Sequence, residues 1–556
     1  MKSDASNATT FDKQGILDLV SICVLKGVLE VIVSAGSRSA PLTLAFARHP
    51  AISLRVVIDE RSAAYVALGI ALKTQQPVVL VCTSGTAALN LSPAIAEAYY
   101  QRVPLLILTA DRPPEQIDQN DGQAIRQNGV FDNFVARSFV FPTDTSKPAD
   151  RRFAQRIANE AINSCIEQHQ PTHINVPMRE PLYDMPQHVV VDAKALMLIE
   201  PKIKTSDNIS FSTQSRDIIK KSQKILLLFG QMNRTDFEGL VAANFGLFGD
   251  VTAQIYLENG IRDIDFVIDK VSKNGLEQAF LPDVLVTFGG DLLSKKVKIF
   301  FKNNPPKLHI HVSAFDKPMN SFFGKYNVNV FSKASYFLNQ LIDLKSDSKQ
   351  DIPLYKDFLK QIGNQKIINL NIEQTIYNHI LTHLPQRTNL HLGNSLPIRR
   401  VSELDLRHIV EPTRQIFVNA NRGTSGIDGC VSTAVGSAIV NEKSGIDTVL
   451  IVGDLSFVYD SNGLWNDYVA SSLKIVVMNN AGGQIFSKTV DGIGLLGDEE
   501  RKRLFVASQK MNIEPICKAF EVGYCYFDGS TSAEGFECIL KDFFALGGAS
   551  VLEVRI

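Results

Sequence analysis

VLIVGDLSFVYDSNGLWNDYVASSLKIVVMNNAGGQIF, residues 449–486, decides the fold. It opens with an apolar run ending at Gly453, passes through a helix-length segment, enters a second apolar run over Lys474–Met478, and breaks at Asn479-Asn480-Ala481-Gly482-Gly483. This reads as strand, helix, strand. Two buried parallel strands would set Asp454 and Asn480 on neighbouring loops at the same carboxyl edge of a sheet, where α/β folds bind ligands. The Asp454 carboxylate, the Asn480 amide oxygen and the Gly482 carbonyl are hard oxygen ligands. They suit Mg²⁺, which completes its octahedron with water and phosphate oxygens. The amides after Gly453, at Asp454, Leu455 and Ser456, open the following helix and can cradle a diphosphate. Gly-Asp alone fits an ordinary turn equally well; Asn-Asn about 26 residues further on favours the cation site.

Outward from this stretch, 556 residues are too many for one core. Hydrophobic residues make up 45% and the formal net charge is −1, which describes a globular protein without a polyanionic partner and argues against nucleic acid. The polar start MKSDASNATTFDKQG lacks the pattern of a signal peptide, and no apolar run reaches the length of a membrane span, so the expected location is cytoplasmic. Seven cysteines are scattered without a C-x-x-C pair and read as reduced, buried side chains.

LEVIVSAG, SLRVVID, PVVLVCTSG, PLLILTAD and HINVP are β-branched, largely uncharged runs at spacings that leave room for helices. KILLLFG, DVLVTFGG and KLHIHV repeat the theme, and the chain ends on SVLEVRI. PKIKTSDNISFSTQS (201–215) and LKSDSKQDIP (344–353) read as linkers. The expectation is an α/β protein of three domains, each a mostly parallel sheet flanked by helices, over residues 1–190, 200–345 and 352–556. A weak repeat relates DERSAAYVALGIALKTQQPVVLVCTSG to RGTSGIDGCVSTAVGSAIVNEKSGIDTVLIVGD. Each runs from a charged loop into an Ala/Gly-rich helix and then a strand.

Arg38 in SAGSRSAPL, Arg112 in TADRPPE, Arg399 in GNSLPIRR and Arg422 in NANRGTSG all lie in loops where strands end, and Lys295 and Lys296 follow FGGDLLS. Surface pairing explains any one of them. Several together imply ligands with several carboxylates, because the guanidinium fork binds a carboxylate bidentately. His379 and His383 stand at i and i+4 but lack a third ligand, and His309 with His311 on one strand face reads as structural.

With Gly453-Asp454, the spacer and Asn479-Asn480, the chain resembles the thiamine-diphosphate-dependent enzymes, whose signature is Gly-Asp-Gly, a spacer of this length and Asn-Asn. Leu455 stands at the third position, a departure that looks like one branch, the menaquinone-pathway synthases joining 2-oxoglutarate to isochorismate. SRSAPL, TADRPPE, GQAIRQ, GNSLPIRR and NRGTSGIDG resemble that branch too, across most of both outer domains; the middle domain matches only around GGDLLSKK. Gly122 stands where the family often has Asn, while Gln123 matches.

The resemblance implies pyrimidine-binding, middle and diphosphate-binding domains in that order, and thiamine diphosphate held through Mg²⁺, with Mn²⁺ as the alternative, on Asp454, Asn480 and Gly482. Glu60 would hydrogen-bond the aminopyrimidine and promote its imino tautomer. Ile427 would press from beneath to hold the cofactor bent. Asn394 and Ser395 would donate to the diphosphate, or else cap a helix. Arg399 and Arg422 would grip the oxoacid-derived carboxylates, and Arg38, Arg112, Gln123, Lys295 and Lys296 would hold isochorismate. A homodimer with sites shared between chains is implied, a tetramer being the alternative. The rival readings are an acetolactate-synthase-like carboligase, which needs fewer basic groups, and a non-catalytic cofactor-binding protein, for which Glu60, Asp454 and Asn480 need not all persist.

Overall fold

A computed structural model describes residues 11–188, 196–202, 209, 211–232, 245–253, 264–315, 323–346, 358, 370–404, 414–488, 497–508, 511–529 and 533–556. Three parallel sheets follow one another along the chain. The first contains β1 (Glu30–Val33), β2 (Ser53–Val56), β3 (Val78–Cys82), β4 (Leu105–Asp111), β5 (Arg137–Val140) and β6 (Thr172–Pro177), in the order β2-β1-β3-β4-β6-β5. The middle sheet contains β7 (Ile225–Phe229), β8 (Gly246–Gly249), β9 (Val284–Phe288), β10 (Leu308–Ser313) and β11 (Tyr326–Phe331), ordered β11-β10-β9-β7-β8. The third contains β12 (Arg387–Leu392), β13 (Gln415–Asn419), β14 (Asp447–Gly453), β15 (Leu473–Asn479), β16 (Gly523–Phe527) and β17 (Ser550–Arg555), ordered β13-β12-β14-β15-β17-β16. The first and third orders are the same permutation, 2-1-3-4-6-5, so the repeat in the sequence has a counterpart in topology.

β3, β4 and β7 are buried at every residue, as parallel strands covered on both faces must be. Helix α1 (Glu60–Thr74) starts where the Asp59 side chain accepts hydrogen bonds from the amides of Arg61 and Ser62. Helix α2 (Ser92–Gln101) lies beside it on the same sheet. The counterpart of α1 in the third unit is α5 (Cys430–Glu442), preceded by α3 (Lys295–Asn303) in the middle unit and α4 (Leu396–Ser402), and followed by α6 (Asp454–Tyr459). The α1 and α5 backbones touch. A Cβ on Gly69 would sit 2.1 Å from the Thr433 carbonyl oxygen, and one on Gly436 would sit 2.1 Å from that of Val66. Only glycine permits this approach. One apolar core is therefore continuous across the outer units, joining Leu80 and Ile107 of the first sheet through Ala67 and Ala434 to Leu450 and Val477 of the third.

Three expectations change. The segment between β14 and β15 is not one helix: α6 is a short turn of helix followed by a 3₁₀ turn at Ser461–Leu464, because Asp460 leaves the helix to accept from Ser432. The linker placed at 201–215 ends earlier, since Ser212 caps a helix running Thr213–Lys221; residues 203–208 and 210 lie outside the described residues. The second linker, 344–353, begins inside the helix Ala334–Ser346, and residues 347–353 again lie outside those described. All seven cysteines are free, five of them buried, with Cys525 half-buried and Cys538 exposed. Among the described residues no helix is long and apolar enough to cross a membrane.

Candidate active site

β14 and β15 pair in parallel with Gly453 opposite Met478, which puts the loops that follow them side by side at the carboxyl edge of the third sheet. A cavity of about 460 Å³ opens there. Gly453, Asp454, Leu455 and Ser456 line it from the start of α6, and Asn480 and Gly482 line it from the turn after β15. Asp454 is buried, and its two carboxylate oxygens accept from the amides of Leu455 (2.8 Å) and Gly482 (2.9 Å). Burial pushes its carboxyl above the ordinary value, and the amides of Leu455, Gly482 and Ala481 pull the other way. Asn480 Oδ1 is buried with no hydrogen-bond partner. A buried amide oxygen left without a donor costs stability unless something electropositive meets it. The donor set of one carboxylate, that oxygen and the Gly482 carbonyl, which also accepts from the Gln484 amide at 2.9 Å, fits a hard divalent cation. The turn is braced from behind, where Asn479 Nδ2 donates to Glu553 Oε1 (2.6 Å) and Asn479 Oδ1 accepts from the Ala481 amide (3.1 Å).

The opposite wall is built by the loop 421–427 and the start of α4. Ile427, Arg422, Arg399, Asn394 and Ser395 all line the cavity. Ser395 holds φ 75 and makes no side-chain cap. The helix cap, the alternative to a diphosphate contact for this pair, is not formed by Ser395. Asn394 Nδ2 donates instead to the carbonyls of Asn421 and Gly426, both at 2.6 Å, and so clamps the loop at two points. Ser456 Oγ donates to the Ile427 carbonyl, tying α6 to the same loop. Burial lowers the Arg399 pKa, and the charge of neighbouring Arg422 lowers it further, so the two guanidinium groups form one positive wall. Arg399 Nη1 donates to the Ser395 carbonyl (2.6 Å), and Arg422 spans from Asn394 Oδ1 (3.1 Å) to Asp291 Oδ2 of the middle unit (2.6 Å).

The remaining residues read from the sequence lie elsewhere in the chain. Arg38 and Arg112 meet at the carboxyl edge of the first sheet, where burial and then the charge of Arg112 lower the Arg38 pKa. Arg112 Nη2 donates to the Gly122 carbonyl (2.7 Å), placing exposed Gln123, with φ 57, beside this pair. Glu60 is half-buried in the first turn of α1 and does not line the cavity. Its neighbours Asp59 and Arg61 contact Asn462 Nδ2 (2.7 Å) and the Tyr459 carbonyl (2.8 Å), beyond the far end of α6 from Asp454. Lys295 and Lys296 are exposed at the start of α3, Lys296 pairing with Asp269 at 2.5 Å, and neither reaches the cavity.

His379 pairs with Glu537 (3.3 Å), and among the described residues no three His, Cys, Asp or Glu side chains converge as a metal site. His309 Nε2 and His311 Nδ1 share the Thr287 hydroxyl at 2.8 and 2.9 Å, the structural role expected of them. Sequence reasoning did not reach Asp291, Glu553 or Glu97, each of which supports the site from a distant part of the chain. It also passed over Ile485 and Phe486, which line the cavity and were legible as the apolar pair after Gly482-Gly483-Gln484.

Residues 16–130 match the family described as the N-terminal TPP binding domain of thiamine pyrophosphate enzymes. Over 568 residues the chain is 35% identical to the 2-succinyl-5-enolpyruvyl-6-hydroxy-3-cyclohexene-1-carboxylate synthase of Christiangramia forsetii, covering 95% of this chain and 93% of the relative. The synthase of the same name from Cytophaga hutchinsonii is 36% identical, with 96% and 94% covered, and that of Desulfotalea psychrophila is 32% identical, with 98% of each covered. With its N-terminal domain matched and full-length likeness above 30%, this chain belongs to the 2-succinyl-5-enolpyruvyl-6-hydroxy-3-cyclohexene-1-carboxylate synthase family of thiamine-diphosphate enzymes.

Proposed function

We propose that this chain decarboxylates 2-oxoglutarate and joins the remaining four-carbon unit to isochorismate, a step of menaquinone biosynthesis in the cytoplasm. One carbon–carbon bond breaks to release carbon dioxide and one forms to the ring acid, with one proton taken up. Four carboxylates enter and three leave in the product. Thiamine diphosphate, when bound, supplies the nucleophilic carbon and the electron sink. Asp454, the Asn480 amide oxygen and the Gly482 carbonyl hold its Mg²⁺, with Mn²⁺ as the alternative, and the amides at Leu455 and Ser456 receive the diphosphate. Arg399 and Arg422 hold the oxoacid carboxylates. Arg38, Arg112 and Gln123, with Lys295 and Lys296, serve isochorismate. Ile427 would lie against the cofactor, and Glu60 would face its pyrimidine ring across a dimer interface as proton donor and acceptor, since Glu60 does not line the cavity that Asp454 lines in the same chain. The three units, 1–190, 200–345 and 352–556, act as pyrimidine-binding, middle and diphosphate-binding domains.

The observation that carries this reading is the meeting, in one cavity, of a partnerless buried Asn480 oxygen with the paired cations of Arg399 and Arg422. A carboligase for monocarboxylic acids has no use for that positive wall. The test is incubation with thiamine diphosphate, Mg²⁺ and 2-oxoglutarate, with and without isochorismate, following carbon dioxide and the product mass. A coupled product bearing three carboxylates is expected. Preference for pyruvate, with acetolactate formed, would overturn the substrate assignment.

A further inference from the structure

Glu97 sits on α2 of the first unit, 1% exposed, and its carboxylate faces the loop that carries Arg422 and Ile427 in the third. Oε1 accepts from the Gly423 amide (2.7 Å), and Oε2 accepts from the Thr424 amide (2.6 Å) and the Thr424 hydroxyl (2.7 Å). The contact is close as well as polar: a Cβ on Gly423 would lie 2.4 Å from the Glu97 carbonyl oxygen and 2.9 Å from the Gln101 amide nitrogen. Beside it, Gln101 Nε2 donates to the Ala420 carbonyl (3.1 Å). Asn394 clamps the two ends of the loop from the third unit, and Glu97 holds its middle from the first.

We propose that Glu97 is a positioning residue for the reaction, its carboxylate fixing the Gly423-Thr424 backbone and thereby the reach of Arg422 and Ile427 into the cavity. This rests on the functional reading above, in which Arg422 grips a carboxylate of the oxoacid. A carboxylate is an expensive way to fill buried space, and an apolar side chain would pack as well. Its acceptors instead match three donors on the two residues that follow Arg422. Burial raises the Glu97 pKa while these donors and the Arg422 charge act against the rise. Misplacing a binding group by about 1 Å is enough to cost a large factor in rate.

The test uses the full-length protein with thiamine diphosphate and Mg²⁺. Glu97→Gln keeps the shape but turns an N–H₂ toward donors; Thr424→Val removes one donor and leaves the carboxylate and both amides. Expected for Glu97→Gln is a rise of about tenfold in KM for 2-oxoglutarate with KM for isochorismate unchanged. In the ligand-free protein, amide hydrogen exchange of the peptide spanning 420–429 should quicken while the other strand peptides keep their rates. Thr424→Val should move both readouts the same way by less, and it carries the test alone should Glu97→Gln fail to fold. Equal rises for both substrates, or a lowered melting temperature with unchanged KM and unchanged loop exchange, would overturn the proposal. A wild-type protein that makes no coupled product sinks the functional reading instead. The exchange arm then still decides whether Glu97 holds the loop.

Discussion

Arg422 Nη2 lies 2.6 Å from Asp291 Oδ2, so the cavity arginine of the third unit is ion-paired to the middle unit, and Lys298 holds the other oxygen of Asp291 at 2.7 Å. Arg422 is buried, and its second terminal nitrogen meets Asn394 Oδ1. The guanidinium plane is thus fixed before any substrate arrives, with the Asp291 carboxylate standing against one edge.

Replacing Arg399 or Arg422 with Lys keeps the charge and loses the planar fork. Each change should lower kcat/KM by about 1.5 to 3 kcal/mol, the range for hydrogen bonds to charged groups. Steady-state kinetics with 2-oxoglutarate as the varied substrate measures this; unaltered constants would make both arginines structural.

Asp454→Ala should remove the link between ligand and stability. At about a hundred times the dissociation constant, cofactor with Mg²⁺ should stabilise the wild type by about 2.7 kcal/mol. Because Asp454 also accepts two backbone amides, the variant will melt lower without ligand. The informative quantity is the ligand-induced shift, which should nearly vanish.

The pH dependence of stability carries the signature of His309, whose pKa burial, together with neighbouring His311, pushes down to about 3. Its folded value lies below its unfolded value of about 6.5, so its contribution is complete above that pH and is lost as the pH falls toward 3. The stability difference between wild type and His309→Gln should therefore shift against the wild type by about 1.6 kcal/mol between pH 6.5 and 5. Urea unfolding at the two pH values measures it, and a constant difference would contradict a neutral His309.

Glu60→Gln and Asp454→Ala homodimers should each be nearly inactive. If every site takes Glu60 from one protomer and Asp454 from the other, random reassembly of the two variants makes about half the dimers mixed, each with one intact site, and activity returns to about a quarter of wild type. If both residues serve a site within one chain, mixing restores nothing.

The buried central strands β1, β3, β4, β6, β7, β9, β10, β14, β15 and β17 were legible because their apolar runs meet solvent on neither face, and β2, although an edge strand, was legible from the run SLRVVID. β5, β8, β11, β13 and β16 lie at sheet edges, are short or mixed in polarity, and carry no comparable run. β12 escaped for a different reason. It is buried but polar, its Asn389 and His391 pairing with each other at 3.1 Å. At the site, Asp454 and Asn480 could be placed from local spacing on two adjacent strands. Glu97 and Asp291 could not, because they meet the 422–424 loop across 326 and 131 residues of chain, and no local pattern encodes such a contact.

Where α1 and α5 cross at Gly69 and Gly436 each helix seats its glycine on the other's backbone, so a side chain of any size added at either position would push the outer units of one chain apart. Within one chain Ile427 and Phe486, at the cavity, each leave more than a third of their surface uncovered, and if every site takes Glu60 from a second protomer, that protomer would cover this apolar area.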